Sequence, residues 1–125
     1  MNKKILTTSI IAFFVIVLLS FKASADETSV KIKAPEKVKK GTEVTIEIEV
    51  THNANNFLHY TDWVWVKVND EEFKKWEYGN FDRPDDNKFT VEIKLKVEET
   101  TTIEAKGNCN MHGSTGSEKV IISVE

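Results

Sequence analysis

Four side chains able to hold a transition metal are gathered into two short stretches. His52 and His59 lie in "THNANNFLHYTDW", and Cys109 and His112 in "GNCNMHGSTG". They are the only cysteine and all three histidines of the 125-residue chain. Thiolate sulfur and imidazole nitrogen are the protein groups that bind iron, copper and zinc. The spacing Cys109-x-x-His112 lets one tight turn offer two ligands, and Gly107 and Gly113 permit backbone angles that other residues resist. His52 and His59 are not forced together by their spacing. Singly, a Cys-x-x-His or a loop histidine carries little; together, in two loops, they point to a shared metal site. A lone cysteine has no internal disulfide partner. In an oxidising compartment such a thiol must be buried, paired between chains, or tied up by a metal. Other chemistries lack support: no serine sits in a strained elbow beside a base, and the acidic residues alternate along strands, where solvation explains them.

The elements that must position these loops read as strands. "EVTIEIEVT" puts Val44, Ile46, Ile48 and Val50 on one face and Glu43, Thr45, Glu47 and Glu49 on the other. "KFTVEIKLKV" does the same with Phe89, Val91, Ile93, Leu95 and Val97. Period-two alternation of this kind marks half-buried antiparallel strands. Shorter candidates are Val30–Ala34, Asp62–Val68, Phe73–Tyr78, Thr101–Lys106 and Lys119–Val124, separated by turn chemistry at Lys40-Gly41, Asn69-Asp70 and Arg83 to Asn87. No helical period stands out. About seven short strands predict an all-β fold, an immunoglobulin-like antiparallel β-sandwich. A sandwich gathers its loops at two ends, so the expectation most at risk is that both histidine-bearing loops share one end. Trp76, Tyr78 and Phe81 are expected to fill the sandwich or cover an edge.

Residues 1–25 are expected to lie outside the domain. Lys3 and Lys4, an apolar run from Ile5 to Phe21, and Ala23-Ser24-Ala25 form a secretory signal, with cleavage before Asp26. Residues 26–125 then form one domain, exported to the periplasm or outside the cell. The alternative is an uncleaved membrane anchor, since the run approaches the shortest spanning helices. The chain has a formal net charge of −3, and loss of Lys3, Lys4 and Lys22 makes the remainder more acidic. No basic patch appears, which argues against nucleic acid and anionic membrane surfaces as partners.

Three blocks resemble the desulfoferrodoxin and superoxide reductase family. Cys109-Asn110-Met111-His112-Gly113 is similar to its "CN-x-HG" signature, and His59-Tyr60-Thr61-Asp62-Trp63 to its "HY-x-x-W". His52 stands where that family has the histidine of "HPN", here followed by Asn53. The run "IKAPEKVKKGTEVTIEIEV" resembles the strand pair leading into the first histidine. The resemblance implies one iron ion per chain at one end of the sandwich, with superoxide as substrate and an external one-electron donor protein as partner. It implies Cys109 as axial thiolate and His52, His59 and His112 as equatorial ligands. Trp63, Tyr60, Asn110 and Gly113 are expected to stand behind them, Trp63 as a shield from solvent.

The departures are specific. The family's fourth histidine, with its neighbouring glutamate and lysine, lies near the domain's N-terminus, and "DETSVKIKAPEKV" contains no histidine. The interval between His52 and His59 is one residue longer than usual, and an export signal is uncommon in the family. With three imidazoles and one thiolate, several outcomes stay open. Water, Asp26, Glu27 or an asparagine of residues 53–56 can complete an iron site. The four ligands can instead close around structural zinc, or favour copper as an electron-transfer or copper-handling site. Met111 is expected to pack inward rather than ligate. A non-catalytic sandwich that binds a protein partner is the reading from another class, and homo-oligomer formation is left open.

Overall fold

Strand β3 (Thr42–Thr51) shows how the sequence builds the core: its buried positions are Val44, Ile46, Ile48 and Val50, with glutamates and threonines between them. The computed structural model describes residues 27–125, so the expected signal segment lies outside the described residues. Around β3 lie β1 (Ser29–Lys33), β2 (Lys37–Val38), β4 (Thr61–Val68), β5 (Glu71–Glu77), β6 (Lys88–Val97), β7 (Thr101–Cys109) and β8 (Glu118–Val124). One sheet has the order β1-β3-β6, the other β2-β8-β7-β4-β5. All pairings are antiparallel except β2 with β8. The fold is the expected β-sandwich, with eight strands rather than seven. The addition is β2, whose two residues pair in parallel with the end of β8 and have too little length to show a period.

The core lies between the sheets. Ile32, Ile46, Ile48, Ile93 and Val97 come from the first sheet, and Val64, Val66, Ile103, Ala105 and Ile122 from the second. Turn chemistry sets the register. Asn69 and Asp70 both adopt positive φ, 50° and 67°, the backbone that a two-residue hairpin between twisted strands needs. Gly41, at φ 84°, turns the chain into β3 and donates its N–H to the Val97 carbonyl at 2.7 Å. Strand β5 pairs only with β4 and is exposed along most of its length, an edge rather than filling. Of the three aromatics expected to fill or cover, Trp76 and Tyr78 pack against the core. Phe81 does not fill it: 88% exposed, it meets Phe57 edge-on with ring centroids 5.3 Å apart.

Strand β7 runs three residues beyond its expected end. Its buried positions are Thr101, Ile103, Ala105, Gly107 and Cys109, so the cysteine continues the inward row. Gly107 is needed for close approach: a Cβ there would stand 2.7 Å from Thr28 Cγ2 and 3.3 Å from Val30 Cγ1. Both neighbours are β-branched, stiff at χ1, and cannot swing aside cheaply. Gly107→Ala is therefore expected to destabilise the domain by about 1–3 kcal/mol, the usual cost of overpacking. Denaturant unfolding checks this, and an unchanged midpoint would show that β1 yields without cost.

Candidate metal centre

Two ligating side chains reach the site by strand parity. His52 follows the last residue of β3, and its N–H donates 2.7 Å to the Asn87 carbonyl, extending the ladder toward β6 by one step. It falls in the same alternate row as Val44 to Val50, so its side chain points between the sheets and is fully buried. Cys109, 2% exposed, does the same at the end of β7, opposite Thr61 of β4. One potential ligand thus comes from each sheet, forming the last layer of the core at one end of the sandwich.

The other two come from tight loops. After β3 the Asn56 carboxamide oxygen accepts the Leu58 and His59 N–H groups, each at 3.0 Å, an Asx turn that folds the loop back on itself. Beyond β7, Cys109 and Gly113 exchange two backbone hydrogen bonds, at 2.8 and 3.0 Å, closing a narrow turn. Gly113 supplies the positive φ of 78° that the turn requires. Inside it, the N–H groups of Met111 and His112 point at Cys109 Sγ from 3.4 and 3.3 Å. Such donors suit an anionic sulfur ligand.

Asn110 joins the two loops. Its side-chain oxygen accepts the Tyr60 N–H at 2.9 Å, its side-chain nitrogen donates to the Leu58 carbonyl at 3.0 Å, and its own N–H donates to the Tyr60 carbonyl at 3.0 Å. These bonds bracket His59 and hold it against the cysteine turn. On the turn's other side Thr28, fully buried, donates its N–H to the Gly113 carbonyl at 3.3 Å and accepts from Thr115 at 3.1 Å. The segment leading into β1 is therefore fastened beside the cysteine turn by a threonine.

All four candidate ligands converge. His52 Nε2 lies 3.1 Å from His59 Nε2, which lies 2.9 Å from His112 Nδ1, which lies 3.9 Å from Cys109 Sγ. The tightest set is His52, His59 and Cys109, whose ligand atoms all lie within 4.8 Å of one another, with His112 joining through its short contact to His59. Two nitrogens each about 2.0–2.1 Å from one ion stand about 2.9 Å apart at a right angle and about 3.4 Å apart at the tetrahedral angle. The two imidazole contacts match the smaller angle better. The sulfur–nitrogen separation is shorter than the about 4.3 Å that a metal–sulfur and a metal–nitrogen bond span end to end. A soft anionic sulfur and three imidazole nitrogens fit iron, copper or zinc. Burial is graded: His52 and Cys109 are buried, His59 is half-buried and His112 is exposed, so the cluster opens on its His112 side.

Several expectations about neighbouring residues change. Met111 does not pack inward; it is 63% exposed, in the loop between Cys109 and Gly113 whose residues all face solvent. Trp63 stacks on Trp65 with centroids 6.4 Å apart, and Lys75 Nζ lies 5.4 Å from its ring centroid. These contacts lie on the outer face of the five-stranded sheet, away from the inward row that holds Cys109. Tyr60 and Asn110 take part in the backbone and carboxamide bonds that join the two loops, and Gly113 in those that close the cysteine turn. Among the described residues no carboxylate joins the ligand group. Glu27 instead lines a pocket of about 300 Å³ with Ser29, His52 and Lys88. Asn55 and Asn56 spend their side-chain oxygens on His52 and on loop N–H groups, so neither serves as an oxygen ligand. Asp26 lies outside the described residues. The signal for the buried pair was present in the sequence, because His52 and Cys109 extend visible alternations. Asn110 was marked by its place in the Cys109–Gly113 motif, but the bonds of its clasp had no signal in the sequence.

Comparison with known proteins places these features in context. The family model described as Desulfoferrodoxin matches residues 22–116. A superoxide reductase (neelaredoxin) from Ignicoccus hospitalis is similar over 79% of this chain and 83% of its own, with 23% identity and a TM-score of 0.66. A Thermotoga maritima protein named as a candidate superoxide reductase matches with 27% identity and a TM-score of 0.57, over 78% of this chain and 86% of its own. A chain from the complex of zinc 2-glycoprotein with prolactin inducible protein, from human seminal plasma, has a TM-score of 0.59. It has 15% identity and covers 79% of this chain and 96% of its own, a likeness of fold alone. None of the curated proteins matches the sequence significantly.

Proposed function

The chain belongs to the desulfoferrodoxin family, and from that premise we propose that it is an exported single-iron protein that reduces superoxide to hydrogen peroxide. The observation that carries this reading is the convergence of three imidazole nitrogens and one cysteine sulfur at the open end of a sandwich of this family. Cys109, His52, His59 and His112 would hold the iron, and the bound iron would supply one electron to superoxide. The product also requires two protons, which water can deliver because the cluster opens to solvent beside His112. As a thiolate ligand Cys109 would donate electron density to a bound metal, and the Met111 and His112 N–H groups that point at its sulfur would moderate that donation. His52, directly after β3, and Cys109, at the end of β7, are buried against opposite sheets and would hold two of the donors in fixed positions.

One iron stores one reducing equivalent, so turnover needs an external one-electron donor protein. Phe57 and Leu58 before His59, and Met111 between Cys109 and His112, are exposed apolar side chains beside the cluster. Phe81 extends this rim through its contact with Phe57. Exposed apolar patches rimmed by polar groups suit transient protein docking. The secretory reading of residues 1–25 puts this chemistry outside the cytoplasm.

Copper electron transfer is the second reading. It is favoured by the donor count: among the described residues there are three imidazoles and one thiolate, without a fourth imidazole. The readings separate on the iron-loaded, reduced protein mixed with a pulse of superoxide. Superoxide reduction predicts stoichiometric oxidation of the iron with peroxide as product. An iron-loaded protein inert to superoxide would overturn that reading, and a copper-specific visible band with a cupric spin-resonance signal would support the second.

A further inference from the structure

The carboxamide of Asn55 lies against the most buried of the candidate ligands. Its Oδ1 is 3.2 Å from His52 Nδ1, while His52 Nε2 faces His59 at 3.1 Å. Its orientation is not a matter of choice. Nδ2 donates to the Asp86 carbonyl at 2.7 Å, and Oδ1 accepts the Thr61 N–H at 2.9 Å. Flipping the amide would set a donor against a donor and an acceptor against an acceptor. The atom facing His52 is therefore an oxygen that only accepts. A neutral imidazole carries one ring proton, so that proton belongs on Nδ1 and the lone pair on Nε2 faces the cluster.

We propose that Asn55 is a positioning residue that fixes the tautomer of His52 and presents Nε2 to the metal as a bare donor. The proposal rests on the metal-site reading above. Without the Asn55 oxygen, the proton gains more on Nε2, where it can be donated to His59 Nε2. Metal entry then requires the tautomer to be reversed. The same carboxamide ties the loop after β3 to the turn before β6 and to the first residue of β4, so the imidazole's plane is fixed along with its proton. Partners of this type commonly orient metal-binding histidines, and their loss typically costs about 10–100-fold in metal affinity.

Long-range proton–nitrogen spectra of the metal-free protein report the tautomer of each histidine directly. His52 is expected as the Nδ1–H form in the wild type and as the Nε2–H form in Asn55→Ala. Cobalt(II) titration is expected to show about 10–100-fold weaker binding for Asn55→Ala than for the wild type. A wild-type protein with the His52 proton on Nε2 would overturn the proposal without reference to any variant's folding. So would a folded Asn55→Ala protein with an unchanged tautomer. A wild-type protein with the Nδ1–H form that takes up no metal would instead overturn the metal reading and leave the tautomer assignment standing.

Discussion

Replacing Cys109 by serine is expected to abolish the visible absorption of the metal-loaded protein and to weaken metal binding by well over tenfold. A thiolate-to-metal charge-transfer band needs the sulfur, and a serine hydroxyl stays protonated near neutral pH and is a harder, poorer donor. The loss should exceed the about 10–100-fold that removal of a hydrogen-bond partner behind a ligand costs, because the ligand itself is gone. The fold should survive. Serine is smaller but isosteric in outline, and its oxygen can still accept from the Met111 and His112 N–H groups that point at Sγ. Melting of the metal-free variant close to that of the metal-free wild type would assign the change to the site. A retained band after Cys109→Ser would place the chromophore elsewhere.

Ile48→Ala is expected to have the largest effect on stability. Ile48 is fully buried at the middle of the central strand of its sheet, paired with Ile32 of β1 on one side and Val91 of β6 on the other. Truncation removes buried methylenes from a position held on both flanks, so the site cannot collapse and a cavity remains. Such substitutions cost about 2–5 kcal/mol, against a total stability of about 5–15 kcal/mol for a domain of this kind. The melting temperature should fall by on the order of 10–30 °C. Ile121, the same residue type but 60% exposed, is the control: Ile121→Ala should change stability by no more than about 0.5 kcal/mol. Equal effects at the two positions would contradict the assignment of the core. Because β3 leads directly into His52, the Ile48 variant should also bind metal less tightly as its strand frays.

What the sequence revealed follows from how local each signal is. The alternations of β3 and β6 each span ten residues and are set by burial of one face, so they were legible. Strand β2 was not, because two residues in parallel pairing depend on where β8 ends rather than on any pattern of their own. The end of β7 was legible in principle: Ile103, Ala105, Gly107 and Cys109 form one alternate row, but the glycines and asparagine around the cysteine read as a loop. Among the site residues, ligand types were evident from chemistry alone. The bonds behind them were not, since Asn110 and Asn55 act across 50-odd and about 30 positions of chain and only the closed fold brings those partners together. Met111 misled for a related reason. Its apolar character argued for burial, whereas it sits in the three-residue loop between Cys109 and Gly113, all of which is exposed.

The absence of a histidine from the segment before β1 is the feature that most separates this chain from the pattern it resembles. Thr28 occupies that region as a buried anchor, with its hydroxyl 3.3 Å from that of Thr61. The segment before β1 thus contributes backbone order around the cysteine turn, through the bonds of Thr28 to Gly113 and Thr115.

The most direct test of the account is metal analysis of the protein purified from its native compartment, read together with its visible spectrum. The account predicts one iron per chain and a red-region band that disappears on reduction. Stoichiometric copper or zinc, or no metal at all, would contradict it and leave the fold of the family without its reaction.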